Sequence, residues 1–215
     1  MPLRLFLTAS YDGSVRVFDY SQKELIVAPL HSAPITAVCV VSSDADSQSH
    51  IIATASQDLT AQLARINVNG TSQALATMHL HTQSLSSIAS NASGSQVLTA
   101  SWDSLIGIWD TKIPSVDEVP EEPLGPERKK RRKVDAQAEK PKRKAPVGVL
   151  KSHTARISRV LFGELNTAYS CGFDSTIRVW DLENEVCSST IVSGSILSCF
   201  THQSCFPECI GTAFP

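Results

Sequence analysis

The sequence lacks the features that mark membrane proteins and many enzymes. Its 215 residues contain no apolar run near the roughly 18 residues that a membrane helix needs. It has no glycine-rich phosphate loop, no isolated pair of acidic residues, and no His and Cys set at metal-ligand spacing. We therefore expect a protein that is not an enzyme and that makes no contact with a membrane.

Cysteines are few and form no Cys-X-X-Cys pair; their positions are 39, 171, 187, 199, 205 and 209. The C-terminal cysteines and His202 are too closely spaced for the two separated ligand pairs of a structural zinc site. At the N-terminus, MPLRLFLTAS has too short an apolar core for a signal peptide and leads directly into a turn. We expect a reducing compartment, no disulfide, no metal and no cofactor.

One sequence pattern recurs four times. Each copy has a short apolar run, a turn containing Asp, and a second run, as in TASWDSLIGIWD. The turn aspartates are Asp12, Asp58, Asp103 and Asp174, which lie 46, 45 and 71 residues apart. Alternating runs bounded by Asp and Ser are typical of two strands joined by a tight turn. The shorter intervals match the roughly 40–45 residues of a propeller blade, and the longer one indicates an insertion.

The residues around these turns resemble the WD repeat. Six residues after each turn Asp the chain has Phe18-Asp19, Ala64-Arg65, Trp109-Asp110 and Trp180-Asp181. A histidine precedes the second, third and fourth turns, at His31, His81 and His153. WD repeats carry such a His, a turn Asp and a closing Trp-Asp, so the four copies in register imply a β-propeller.

The resemblance also implies a structural role for these residues. In WD blades the His, a Ser or Thr of the second strand, the turn Asp and the Trp indole form a hydrogen-bond chain. The matching sets are His81, Thr99 or Ser101, Asp103 and Trp109, and then His153, Ser170 or Gly172, Asp174 and Trp180. The copy with His31 and Asp58 has Ala64 at the ring position, so we expect its blade to be the loosest. A set that recurs in successive repeats favours a structural role over a catalytic triad.

The predicted fold is all-β: a WD-repeat propeller of about four blades out of an expected seven, with one disordered charged insertion. We assign residues 1–113 to blades, the first one partial, and expect there the end of one blade, two complete blades and most of a third. Residues 114–145 are the insertion, 146–202 a blade and the start of the next, and 203–215 an unassigned tail. The start in mid-blade and the tail indicate a fragment, an open arc with exposed edge strands.

The insertion begins acidic and ends basic, with low apolar content and frequent proline, which is typical of disorder. Its basic residues are Arg128, Lys129, Lys130, Arg131, Arg132, Lys133, Lys140, Lys142, Arg143 and Lys144. They are 10 of the chain's 19 Lys and Arg, so the rest of the chain has a net charge near −10. KKRRKV followed by KPKRK closely resembles a nuclear localisation signal, single or bipartite, which implies importin as a partner. The loop has no aromatic residue, so any RNA contact would be made to phosphates.

The order of features resembles one WD-repeat family in particular. It is similar to the ribosome-biogenesis WD proteins that join Pescadillo and the block-of-proliferation protein. The stretches that carry the resemblance are, in order, SWDSLIGIWDTKIP, a charged loop with a basic cluster, APVGVLKSH and ISRVLF…STIRVWDLENEVC. The resemblance implies a scaffold for maturation of large-subunit ribosomal RNAs within the pre-ribosomal particle. It implies a location in the nucleolus and nucleoplasm. A midasin-type ATPase would be a partner only where the family's N-terminal ubiquitin-like domain is present.

Two other interpretations fit the same sequence. A WD-repeat propeller is also typical of adaptors in other nuclear complexes, such as substrate receptors of ubiquitin ligases or chromatin proteins. A third hypothesis is RNA binding through the basic loop. Partner recovery from nuclei separates the first two, and neutralisation of the basic loop tests the third.

Overall fold

The computed structural model describes residues 5–19, 23–44, 49–67, 69–119, 140–164 and 166–193, and all regular elements there are β-strands. The strands are β1 (Leu5–Ala9), β2 (Ser14–Asp19), β3 (Glu24–Pro29), β4 (Ile35–Asp44), β5 (Ser49–Ser56), β6 (Thr60–Asn67), β7 (Ser72–His79), β8 (Leu85–Ser90), β9 (Gln96–Ser101), β10 (Leu105–Asp110), β11 (Lys142–Lys144), β12 (Gly148–Lys151), β13 (Ile157–Phe162), β14 (Thr167–Gly172), β15 (Thr176–Asp181) and β16 (Val186–Val192). The all-β class predicted from the sequence is confirmed. No helix in these ranges could span a membrane.

The strands form four sheets, which we name blades 1 to 4 in chain order. Blade 1 is β1–β3, blade 2 is β4–β7 with β11 at its edge, blade 3 is β8–β10 with β12, and blade 4 is β13–β16. Except for β11, neighbouring strands pair antiparallel. Strand β8 contacts β4 on one side and β13 on the other, so the blades follow one another as in an open propeller.

The distribution of strands corrects one expectation. Up to residue 113 the structure has three strands of blade 1, all of blade 2 and three strands of blade 3. This is one complete blade, not two, because each turn Asp marks a single blade and this part of the chain has three such turns. The outer strand of blade 3 is β12, so the insertion separates the third and fourth strands of that blade.

The turn Asp closes the central hairpin of every blade in the same way. Its side chain accepts the backbone N–H two residues later, at 2.9–3.2 Å, in Ser14, Thr60, Leu105 and Thr176. The residue after the Asp has a positive φ: Gly13 (81°), Leu59 (72°), Ser104 (69°) and Ser175 (59°). An Asp that bonds its own backbone makes a tight turn, and the left-handed residue reverses the chain.

The hydrophobic core lies between the blades. Buried side chains include Val15, Ile26, Ile52 and Ile66 between blades 1 and 2; Leu63, Met78, Leu85 and Trp109 between blades 2 and 3; and Leu98, Ile106, Ile157 and Trp180 between blades 3 and 4. A blade therefore buries its faces only against its neighbours, as in other repeat architectures.

The described ends of the insertion differ from the expectation of disorder. Strand β11 pairs in parallel with β7, with Lys142 beside Ala76 and Lys144 beside Met78. A run of Lys and Arg has no strand-forming pattern of its own, so this strand depends on the open edge of β7 and on charged contacts. The first basic cluster, residues 128–133, and the tail, residues 203–215, lie outside the described residues.

Candidate functional site

The most complete polar constellation lies in blade 4. The Trp180 indole Nε1–H donates to Ser170 Oγ at 2.8 Å, and Ser170 Oγ lies 2.7 Å from His153 Nε2. His153 Nδ1 lies 2.8 Å from Asp174 Oδ2. Because the Asp174 carboxylate can only accept, the proton of the neutral ring lies on Nδ1 and faces it. Nε2 therefore accepts from the serine hydroxyl, whose oxygen accepts from the indole. We call this chain of four side chains the blade network.

Blade 3 repeats the network with threonine in place of serine. Trp109 Nε1–H donates to Thr99 Oγ1 at 2.9 Å, and that oxygen lies 2.8 Å from His81 Nε2. His81 Nδ1 lies 3.0 Å from Asp103 Oδ2, which also accepts the backbone N–H of Thr82. Of the pairs that the sequence left open, the structure brings Thr99 and Ser170 into the networks.

Blade 2 has the polar half of the network without the ring. His31 lies between Asp58 Oδ2, at 2.9 Å, and Thr54 Oγ1, at 2.8 Å. Ala64 is fully buried at the ring position, so the Thr54 hydroxyl has no indole donor. Gln62 donates to the carbonyl of Leu30 at 2.7 Å, while its buried Oε1 has no partner among the described residues. Blade 1 has Phe18 at the ring position, which has no N–H to donate.

The networks hold the carboxylates ionised. Burial raises the pKa of Asp174, but hydrogen bonds from Thr176 and His153 outweigh it and lower the pKa to about 2. For Asp58, burial is again outweighed, by hydrogen bonds from His31 and Thr60, and the pKa is about 2. Burial lowers the pKa of His153 in spite of its Asp partner. At neutral pH the network of blade 4 is therefore an indole, a hydroxyl, a neutral imidazole and a carboxylate.

In blade 4 this network links strands and loops to one another. Ser170 is 0% exposed, and its oxygen already accepts the indole N–H, so no substrate reaches it as a nucleophile. At the other end of the network, the Asp174 carboxylate accepts a hydrogen bond from the backbone N–H of Thr154. This bond joins the loop before β13 to the β14–β15 turn. The network thus fixes two loops and two strands of a blade to one another.

The described residues contain no group of three His, Cys, Asp or Glu side chains that could hold a metal ion. The described cysteines Cys39, Cys171 and Cys187 form no disulfide. Burial raises the pKa of Cys39 to about 12, which keeps it in the unreactive thiol form.

Three of the turns that carry these aspartates present aromatic side chains to solvent. The residue before the Asp is Tyr11, Trp102 or Phe173 in three blades, exposed by 83%, 38% and 44%. The Arg156 guanidinium lies 4.6 Å from the centre of the Trp102 ring, and the Arg156 carbonyl accepts the Phe173 N–H at 2.8 Å. We call Tyr11, Trp102, Arg156 and Phe173 the turn surface. This surface was not predicted, although an aromatic residue directly before the turn Asp is visible in the sequence.

The second part of the predicted basic cluster is only partly exposed. Lys140 and Lys142 are exposed and Arg143 is half-buried, whereas Lys144 is 2% exposed. Its Nζ contacts the Asp110 carboxylate and donates to the Lys112 carbonyl at 2.8 Å. A lysine that the sequence placed in a solvated loop is therefore a buried, paired residue, and no sequence pattern marks it.

Comparison with known proteins gives one consistent picture. The model of the WD domain, G-beta repeat, matches residues 72–110 and 144–181. The chain is similar to ribosome biogenesis protein YTM1 of Laccaria bicolor, with 56% identity over 88% of this chain and 45% of that relative. YTM1 of Coprinopsis cinerea is 49% identical over 86% of this chain and 44% of the relative. The ribosome biogenesis protein WDR12 homolog of Arabidopsis thaliana is 31% identical, over 91% and 45%. The chain spans a little under half the length of these relatives.

Proposed function

The chain belongs to the WD-repeat family whose members are named ribosome biogenesis proteins YTM1 and WDR12 homolog, and we propose that it acts as a non-catalytic scaffold in pre-ribosome assembly. The observation that carries this proposal is the 56% identity over 88% of the chain to a protein with that name. In this role the propeller supports maturation of large-subunit ribosomal RNAs by holding proteins together. Its partners are a Pescadillo-type protein, a block-of-proliferation-type protein and the pre-ribosomal particle.

The polar chemistry of the blades supports a non-catalytic role. The His, Asp and hydroxyl side chains of blades 3 and 4 are bound to one another, and the central oxygens of Thr99 and Ser170 are fully buried. A nucleophile or general base has to lie within hydrogen-bond reach of a bound substrate. These groups are saturated inside the sheets, so their contribution is to stability.

We place a protein partner at the turn surface. Exposed aromatic side chains with a neighbouring arginine are typical of the residues that dominate protein interfaces. Here they come from separate blades, and the turns of Trp102 and Phe173 are held by the blade networks. A rigid surface loses little conformational entropy on binding, which favours affinity.

We also propose that the protein works in the nucleolus and nucleoplasm and that importin brings it there through the basic insertion. Six Lys and Arg in succession, residues 128–133, give this segment the charge that import receptors recognise. The acidic remainder of the chain leaves the insertion as the region of concentrated positive charge. A midasin-type ATPase is a partner only of a form that carries the ubiquitin-like domain.

Affinity purification of the full-length form from nuclei tests the scaffold. We expect a Pescadillo-type protein, a block-of-proliferation-type protein and pre-ribosomal proteins to be recovered with it. The double variant Trp102→Ala/Phe173→Ala should lose at least one of them without unfolding. The matched control is Val186→Ala, since Val186 is 51% exposed beside the turn at the opposite end of blade 4. Recovery of cullin adaptors or histones instead, with no pre-ribosomal protein, would contradict the proposal.

A further inference from the structure

The described ends of the charged insertion are tied to each other. Glu118 N–H donates to the Arg143 carbonyl at 2.8 Å, and Arg143 N–H donates to Asp117 Oδ1 at 2.8 Å. Glu118 Oε2 accepts the Ala145 N–H at 2.9 Å. The acidic start of the insertion thus binds the backbone of its basic end, and both carboxylates accept backbone N–H groups there.

The basic end is also bound to two blades. Strand β11 continues the sheet of blade 2 through parallel pairing with β7. Lys144 reaches into blade 3, where its Nζ contacts the Asp110 carboxylate and the Lys112 carbonyl. The Lys144 side chain is buried, with 3% of its surface exposed, whereas the Asp110 side chain is 39% exposed. A charge-assisted bond with one solvated partner avoids most of the desolvation cost of a buried ion pair.

These contacts close the outer edge of blade 2. Without β11, the N–H and C=O groups along the outer side of β7 would form an open edge that can pair with other chains. With β11 in place, blades 2 and 3 are joined at their outer rim as well as through their core. The segment therefore serves as a strap across two blades.

We propose that this strap withholds the second basic cluster, residues 140–144, from import receptors, so that the import signal of the folded chain is the first cluster alone. A receptor that binds a basic peptide needs its side chains and its extended backbone, whereas the strap's backbone is paired with β7 and its Lys144 head group is bound inside. This inference rests on the proposed import role, and it turns a bipartite signal into a single one. If the strap detached from β7 and Asp110, residues 140–144 would become part of the import signal.

Native-state proteolysis tests the strap by itself. Trypsin cleaves after Lys and Arg, and a segment paired within a sheet is cut only when it opens. Asp110→Asn removes the carboxylate under Lys144 and keeps every tryptic site, so cleavage within the strap should become roughly tenfold faster or more. The matched control is Asp181→Asn at the same position of blade 4, where the carboxylate accepts from Asn184 and Glu183 of its own turn. Equal cleavage of the strap in the unaltered chain and in Asp110→Asn would overturn the inference.

Nuclear import of a fluorescent fusion too large to diffuse through pores tests the withholding. Alanine at Lys129, Lys130, Arg131, Arg132 and Lys133 should abolish nuclear accumulation, whereas Lys142→Ala/Arg143→Ala should leave it unchanged. Loss of import in the second variant, with strap protection intact, would overturn the inference and leave the import role standing. Retained import in the first variant would overturn the withholding. Import that also persists when Lys142→Ala/Arg143→Ala is added to the first variant would refute the import role of the insertion, while trypsin protection would still decide whether the strap exists.

Discussion

Thr99→Val tests how much the blade network contributes to stability. Valine has nearly the shape of threonine, so the substitution removes the hydroxyl without opening a cavity. Thr99 is fully buried, and its oxygen bonds Trp109 Nε1 at 2.9 Å and His81 Nε2 at 2.8 Å. The variant leaves two buried polar groups without a partner.

The magnitude follows from the number of orphaned groups. A buried donor or acceptor without a partner costs about 1–3 kcal/mol, so two cost about 2–6 kcal/mol. The added methyl group returns about 1 kcal/mol through burial of apolar surface. We therefore expect Thr99→Val to lower the free energy of unfolding of blade 3 by about 1–5 kcal/mol.

Blade 2 supplies the matched control. Thr54 is also fully buried and bonds His31 Nε2 at 2.8 Å, but Ala64 replaces the ring. Thr54→Val orphans one group, so the expected loss is about 0–2 kcal/mol by the same reasoning. Both sites share a buried Thr, a His and the turn Asp, so the difference between the variants reports chiefly on the indole.

Urea unfolding followed by tryptophan fluorescence gives the overall change, and hydrogen exchange resolved by peptide assigns it to β9 or β5. Resolution by blade matters because repeat proteins do not always unfold in one step. A double-mutant cycle with Trp109→Phe should show coupling of about 1 kcal/mol or more to Thr99. Equal losses in Thr99→Val and Thr54→Val, with no coupling, would show that the indole hydrogen bond contributes nothing.

Three further predictions follow from the blades. Gly107→Ala should lower the free energy of unfolding by about 2 kcal/mol or more, because the new Cβ would lie 2.7 Å from Trp109 Nε1 and displace the network. Gly70→Ala has nothing within 4 Å of the new Cβ and should lower it by only about 1 kcal/mol, through the positive φ. The urea midpoints of the two variants compare these effects. Acid should lower the free energy of unfolding below pH about 6.5, because His153 gains a proton in the unfolded chain more readily than in the folded one. It should lower it again between pH about 3.8 and about 2, where Asp174 is still ionised in the folded chain but protonated in the unfolded one. A free energy of unfolding that stays constant from pH 7 to 3 would contradict this. Trp102→Ala alone should weaken partner binding about tenfold or more in a pull-down titration without changing the urea midpoint, and unaltered binding would exclude the turn surface.

Most of the fold could be predicted because the blade is a local unit. The turn Asp, the alternating runs around it and the His before the blade lie within about 30 residues, so sequence spacing locates each hairpin. The sequence could not choose between Thr99 and Ser101, since residues two apart on a strand face the same side. In the structure Thr99 meets the ring and His81, whereas Ser101 Oγ donates to the carbonyls of Gln83 and Ser84.

The strap could not be predicted because its partners are distant in sequence and its residues contradict their own propensities. Lys142–Lys144 is a run of charge that predicts a solvated loop. It becomes a strand because β7, more than 60 residues earlier, presents an unpaired edge, and because Asp117, Glu118 and Asp110 supply carboxylates at the right positions. Tertiary context outweighs local preference here, as it often does for strands.

The strap extends the sheet of blade 2, which has Ala64 at the position of the ring. With Ala64 in place of the ring, the Thr54 hydroxyl has no indole donor and contacts the Gln62 carbonyl at 3.4 Å instead. For lack of this ring the sequence predicts blade 2 to be the loosest. Yet blade 2 has five strands, since β11 adds main-chain pairing along β7 and a charged contact to blade 3. Edge pairing and an internal network restrain different parts of a sheet: the network fixes the loop before the first strand to the central hairpin, and the strap fixes the outermost strand. Blade 2 therefore combines the polar half of the network with a restraint at its rim, and the charged insertion contributes to the stability of the propeller that carries it.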